Sequence, residues 1–164
     1  MKSKRLNNLG KIDRDKTLNF TWDNKKLSGF EGDSLASALL ANNIGIVGRS
    51  FKYHRPRGIF SSGVEESGAL VTIGSKDRRD PNVRATTQEL FDGLKASGQN
   101  AFPNVNFDLG GINNYIGRFF AAGFYYKTFM GIPPFEWGKG TTIWMFFEKL
   151  IRKAAGMGSA SRLP

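Results

Sequence analysis

The sequence predicts an α+β domain, on three observations. Residues 17–22 alternate polar and apolar, Thr17-Leu18-Asn19-Phe20-Thr21-Trp22, as a strand with one buried face requires. A turn dipeptide, Asp23-Asn24, separates them from a second β-prone arm over 25–31. Residues 35–41 then have helix-forming composition, with Leu35, Ala38 and Leu39 on one stripe. A hairpin followed by a helix packed across a mixed sheet opens a β-grasp domain, and several other α+β folds open the same way.

Each element has its own signal. Residues 1–16 set Lys2, Lys4, Arg5, Lys11, Arg14 and Lys16 against Asp13 and Asp15 with little apolar periodicity, which predicts a mobile basic tail or one that docks only on a partner. Gly32-Asp33-Ser34 supplies a turn and a helix N-cap, and Asn42-Asn43 can end the helix in the left-handed conformation. Residues 44–47 read as a short strand. In Arg49-Ser50-Phe51-Lys52-Tyr53-His54-Arg55-Pro56-Arg57-Gly58, the proline and glycine predict a loop. Its cations, interleaved with Phe51 and Tyr53, suit a phosphate, a stacked base or acidic side chains. His54 has no carboxylate or nucleophile near it in sequence, so a structural hydrogen bond is favoured over catalysis.

Ser61-Ser62-Gly63 and Glu65-Glu66 make a tight polar loop ahead of a strand over 69–73. Residues 74–81 form a charged surface turn, Val83, Ala85 and Thr87 alternate again, and Asp92-Gly93 is a turn between apolar flanks. The compact domain is expected to close near residue 100, giving a tail over 1–16, a β-grasp domain over 17–100 and a distinct region over 101–164. That last region is turn-rich over 104–114. It then becomes dense in aromatics over 119–126 and 129–137 without helical or strand periodicity, as in an extended arm that fills pockets on a neighbouring surface. Packing of those aromatics against the first lobe is the alternative. Residues 144–155 read as an amphipathic helix with Phe147, Leu150, Ile151 and Ala154 on one face.

Totals exclude whole classes of function. The 164 residues contain no cysteine, which removes disulfides, thiolate zinc sites, cysteine-ligated iron–sulfur clusters and a cysteine nucleophile. A single histidine removes a multi-histidine metal site. No run approaches the ~18 apolar residues of a membrane span, and the basic start lacks the apolar core of a secretory signal, so a cytoplasmic protein is expected. A net charge of +10 admits nucleic acid, an anionic cofactor or an acidic partner, as well as a plain basic surface in a larger assembly. No Walker A loop, dinucleotide-binding glycine motif or nucleophile elbow is present. The pattern is that of a binding or assembly segment with no catalytic constellation.

Several stretches resemble the N-terminal region of the alpha subunit of heterotetrameric sarcosine oxidase. They are the basic segment above with Ile59 and Phe60, Gly32-Asp33-Ser34-Leu35-Ala36-Ser37-Ala38-Leu39-Leu40-Ala41-Asn42, Gly63-Val64-Glu65-Glu66, Asn82-Val83-Arg84-Ala85-Thr86, Phe107-Asp108-Leu109, and Ala122-Gly123-Phe124-Tyr125-Tyr126-Lys127-Thr128-Phe129-Met130. The resemblance covers roughly residues 15–160 and implies a β-grasp domain similar to two-iron, two-sulfur ferredoxins. In cluster-bearing relatives the cysteines follow a C-x4-C-x2-C pattern with a fourth further on. Laid on this chain, the pattern falls on Ser61, Glu66 and Ala69, with the fourth near Thr86. None is cysteine, so the lobe resembles the branch in which it is structural.

The resemblance also implies an enzyme complex that demethylates sarcosine oxidatively with FAD, FMN, NAD and tetrahydrofolate. None of these would be bound by this segment, and no catalytic residue would lie in it. The expected partners are the other subunits of the oxidase and a following dinucleotide-binding domain. Arg49, Lys52, His54, Arg55 and Arg57 are the candidate contacts to a flavin phosphate or an acidic partner surface. A subunit of a related amine, proline or opine dehydrogenase is the runner-up, and a nucleic-acid-binding module is the weakest reading.

Overall fold

The computed structural model describes residues 5–6, 9–76, 78–117 and 152. The aromatic arm expected over 119–137, and all but Arg152 of the helix expected over 144–155, lie outside these residues. The strands are β1 (Asp13–Trp22), β2 (Lys25–Glu31), β3 (Ile46–Arg49), β4 (Pro56–Gly58), β5 (Leu70–Ile73), β6 (Asp80–Arg84) and β7 (Lys95–Gly98). The helices are α1 (Leu35–Ala41) and α2 (Asn113–Ile116).

β1 and β2 form the hairpin that the alternation predicts, with Trp22 opposite Lys25. Asp23 (φ 44°) and Asn24 (φ 67°) are both left-handed, as a two-residue type I′ turn demands. Ser34 caps α1 by accepting a hydrogen bond from the Ser37 N–H, and Asn43 (φ 62°) follows its end in the left-handed region. One mixed sheet runs in the order β2-β1-β7-β5-β6, with β1 parallel to β7 and the remaining pairs antiparallel. α1 buries Leu35, Ala36, Ala38 and Leu39 in a core that Phe20, Trp22, Val47, Val71, Leu90, Leu94 and Ala96 complete. Burial of side chains the size of Phe20 or Leu39 stabilises by ~1.5–3 kcal/mol each.

Three elements differ from the sequence expectation. β1 begins at Asp13, so residues 13–16, expected as mobile tail, are strand: Asp13 pairs with Glu31, and Lys16 Nζ sits 2.7 Å from the Glu31 carboxylate. This extension is held by backbone pairing and exposed charges, which apolar periodicity does not register. Residues 56–58, expected as loop, pair with β3 as β4 in a small second sheet. Pro56 is tolerated there because it starts the strand at an edge. β7 was expected only as the flank of a turn, yet it is the central strand, with Thr21↔Lys95 on one side and Ile73↔Ala96 on the other. Its apolar content is one residue, Ala96, followed by Ser97 and Gly98, too little for a period-2 signal.

The second sheet is tied to the first where the Arg49 N–H donates to the Gln99 carbonyl at 2.9 Å. At the β2–α1 corner, the buried Asp33 accepts two hydrogen bonds of 2.8 Å from the Arg5 guanidinium, one of 2.7 Å from the Ser37 hydroxyl and one of 2.9 Å from the Phe30 N–H. At this point Arg5, from the basic N-terminal stretch, docks on its own domain. Burial pushes the Asp33 carboxyl up, but Arg5, Ser37 and Phe30 together hold it below the usual aspartate range. Its contribution to stability is therefore present above the ordinary aspartate value of ~3.9 and is lost as pH falls through the lower folded value. Arg5→Ala should cost about 1–3 kcal/mol in urea unfolding, since it strips two charged donors from a buried acid. In thermal melts from pH 6 to 2, that variant should lose less melting temperature on acidification than the parent chain, because without Arg5 the folded Asp33 carboxyl no longer lies as far below its unfolded value.

Candidate functional site

The polar loop of 60–69 and the basic hairpin of 46–58 leave the core on neighbouring elements, and each closes around a buried carboxylate. Leading into β5, the loop makes a short 3-10 turn at Gly63–Glu65 and then turns Glu66 inward. Glu66 is 1% exposed. Its Oε2 accepts the N–H groups of Phe60 and Ser61, both at 2.7 Å, and its Oε1 accepts those of Ala69 at 3.0 Å and Gly68. Burial would push the Glu66 carboxyl up, but the N–H groups of Ser61, Gly68, Phe60 and Ala69 outweigh it and hold it below the usual glutamate range.

The four positions read as lost cluster ligands do come together. Ser61 and Ala69 both donate backbone N–H groups to Glu66, the Ala85 N–H donates to the Ala69 carbonyl at 2.9 Å, and the Thr86 hydroxyl reaches back to the Gly63 carbonyl at 2.6 Å. As a donor set they do not fit an iron–sulfur cluster. Ala69 is a buried methyl group, both oxygens of Glu66 are engaged by N–H donors, and Thr86 is committed to the loop carbonyl. The Ser61 hydroxyl is buried without a hydrogen-bond partner. With no cysteine in the chain, no cysteine-ligated cluster forms here.

The basic segment is less open than its charge suggests. Arg49 turns back, its Nε and Nη2 donating to the Val105 carbonyl at 2.9 and 2.7 Å and its Nη1 to the His54 carbonyl at 3.2 Å. Lys52 Nζ and the Arg55 guanidinium lie 4.8 and 4.7 Å from the centre of the Tyr53 ring, a cation–π arrangement that already engages the ring expected to be available for stacking. Arg55 and Arg57 are exposed. His54, in the left-handed region at φ 52°, places Nδ1 2.7 Å from Asp108 Oδ2. The carboxylate partner that the local sequence lacks is thus 54 residues away. The Asp108 side chain is 1% exposed and also accepts the N–H groups of Phe102 at 3.0 Å and Gly110 at 3.1 Å.

Two glycines let the strand of chain over 102–117 lie flat on this hairpin. A Cβ on Gly110 would collide with the His54 ring, and one on Gly117 would collide with the Tyr53 ring. The site thus gains Val105, Gly110 and Gly117, which the sequence does not mark, and Asp108, which it marks only within a matching stretch, because each acts through backbone approach or long-range pairing. The arrangement holds loops and presents cations, and among the described residues no group of three or more potential metal ligands occurs.

Comparison with known proteins follows the same lines. The family described as "2Fe-2S iron-sulfur cluster binding domain" matches residues 15–101. Over 161 residues the chain is 52% identical to the sarcosine oxidase subunit alpha of Rhizobium meliloti strain 1021, a match spanning 98% of this chain and 16% of that protein. It is 48% identical over 90 residues to the sarcosine oxidase subunit alpha of Corynebacterium sp. strain U-96, covering 53% of this chain and 9% of that protein. It is also similar to the crystal structure of L-proline dehydrogenase from P. horikoshii, at 28% identity and a TM-score of 0.43 over 52% of this chain and 16% of that one. The chain therefore spans less than a fifth of the length of each of these relatives. The family match and the two sarcosine oxidase relatives bear out the resemblance to sarcosine oxidase alpha subunits and the ferredoxin-like character of the fold.

The packing of Gly110 on His54 is open to a direct test. Gly110→Ala should lower stability by about 1–3 kcal/mol through overpacking, but should cost much less in a His54→Ala background, where the ring is gone. Urea midpoints of the four chains give the coupling. Equal costs in both backgrounds would show that the ring is not what Gly110 accommodates.

Proposed function

The chain belongs to the 2Fe-2S iron-sulfur cluster binding domain family, and we propose that it works as the cluster-less, non-catalytic assembly domain of a sarcosine oxidase-type alpha subunit. The observation that carries this reading is the 52% identity across 98% of the chain, joined to the absence of every cysteine a cluster would need. The complete complex would oxidise sarcosine at a CH–NH bond in the cytoplasm, using FAD, FMN, NAD and tetrahydrofolate bound outside this segment. A ferredoxin-like lobe without its redox centre keeps two things useful to such an assembly: a rigid sheet and shaped loops.

The partners proposed are the other subunits of the oxidase and its dinucleotide-binding domain. On the loop of 60–69 the exposed Phe60 and Val64 offer apolar contact, and on the adjoining hairpin Arg55 and Arg57 offer charge. Of the five basic-segment candidates, Arg49 and His54 are engaged inside the domain. Contact with a flavin phosphate or an acidic partner surface therefore falls to Arg55 and Arg57, with Lys52 beside them.

The isolated chain, expressed and purified, should show neither an iron–sulfur nor a flavin spectrum in the visible and should not oxidise sarcosine; near-stoichiometric absorbance from either group would sink the reading. In the assembled complex, Arg55→Glu with Arg57→Glu should reduce recovered heterotetramer or its flavin content several-fold. Unchanged assembly and flavin content would remove those two arginines from the interface.

A further inference from the structure

Glu66 is a buried acid with an unusual set of partners. Among the described residues no lysine or arginine forms a salt bridge with it. Arg84, the nearest charged group from β6, donates instead to the Glu66 main-chain carbonyl at 3.2 Å, and the adjacent Glu65 is exposed. The carboxylate is compensated by backbone dipoles alone, through the convergent N–H groups of Phe60, Ser61, Gly68 and Ala69. Convergent main-chain N–H groups make a concavity that selects anions. The approach is close: a Cβ on Gly68 would lie 2.9 Å from the Gly58 carbonyl oxygen and 3.1 Å from Glu66 Oε1, so only glycine brings that N–H to the oxygen without displacement.

We propose that residues 60–69 form an anion-binding nest plugged by the Glu66 side chain, which replaces a bound group as the organising anion of the loop and whose removal opens a site for a small carboxylate such as acetate or formate. The chain supplies both halves of the interaction. Four inward N–H groups left without an acceptor would be costly to bury, and a buried glutamate without four donors would not stay ionised. Ser61 adds a buried hydroxyl without a partner, a spare donor for an incoming anion. The proposal holds whatever the larger assembly oxidises.

Two variants of the 164-residue chain test it. Glu66→Gln keeps the volume and removes the charge, so at pH 7 it should melt roughly 5–10 °C below the parent chain. Because the folded Glu66 carboxyl lies below its usual range, the charge contributes fully above the ordinary value of ~4.3 and is lost as pH falls through the lower folded value. The melting difference should therefore shrink towards pH 3. A plug that acted through volume alone would leave it flat, and a flat difference overturns the proposal. Glu66→Ala should regain melting temperature with rising acetate or formate, saturably, at constant ionic strength, while acetamide of the same shape should not rescue it. Equal rescue by acetamide, or none by either acid in a folded variant, overturns the anion site. Should Glu66→Ala fail to fold without additive, refolding yield in acetate against acetamide gives the same discrimination.

Discussion

A carboxylate taken out of water persists only where donors replace its hydration, and that requirement shapes the irregular parts of this fold. Asp33, Glu66 and Asp108 are all nearly inaccessible, and each gathers the N–H groups of a different loop. Asp33 fixes the corner between hairpin and helix and draws in Arg5. Glu66 closes the loop into β5. Asp108 holds the chain over 102–110 and reaches His54 on the second hairpin. In a chain of net charge +10, the described buried charges are acids, and the cations lie around them or outside.

These hubs explain how a family built around a metal cluster can do without one. A cluster loop is long and polar because it must wrap an inorganic anion. Remove that anion and the loop would be expected to lose its shape. Here its inward N–H groups still meet negative charge, and Thr86 and Ala85 still staple it to the strand beyond. The loop so held shows Phe60 and Val64 to its surroundings.

The sequence displayed what local physics encodes. The alternation of Leu18, Phe20 and Trp22, the Asp23-Asn24 turn and the Ser34 cap each act within a few residues, and each stands where the pattern places it. β7 was not legible, because a central strand of Lys, Ala, Ser and Gly is specified by its neighbours β1 and β5. Nor was the role of the basic segment. Arg49 looks like a ligand for an external anion, yet its fork closes on a carbonyl 56 residues away. His54 looks solitary until Asp108 arrives from the far side of the fold. Glu66 was marked as a position, but its chemistry depended on where four backbone N–H groups point, which no side-chain pattern records.

The Glu66 plug has a consequence for how the protein is made. An iron–sulfur domain reaches its final shape only after iron and sulfide have been delivered and assembled, so its folding is tied to metal supply and to the absence of damaging oxidants. A carboxylate carried by the same loop arrives with the polypeptide, at a local concentration that no free anion matches. A lobe closed in this way can mature as soon as it is synthesised, with no dependence on a supply of iron and sulfide.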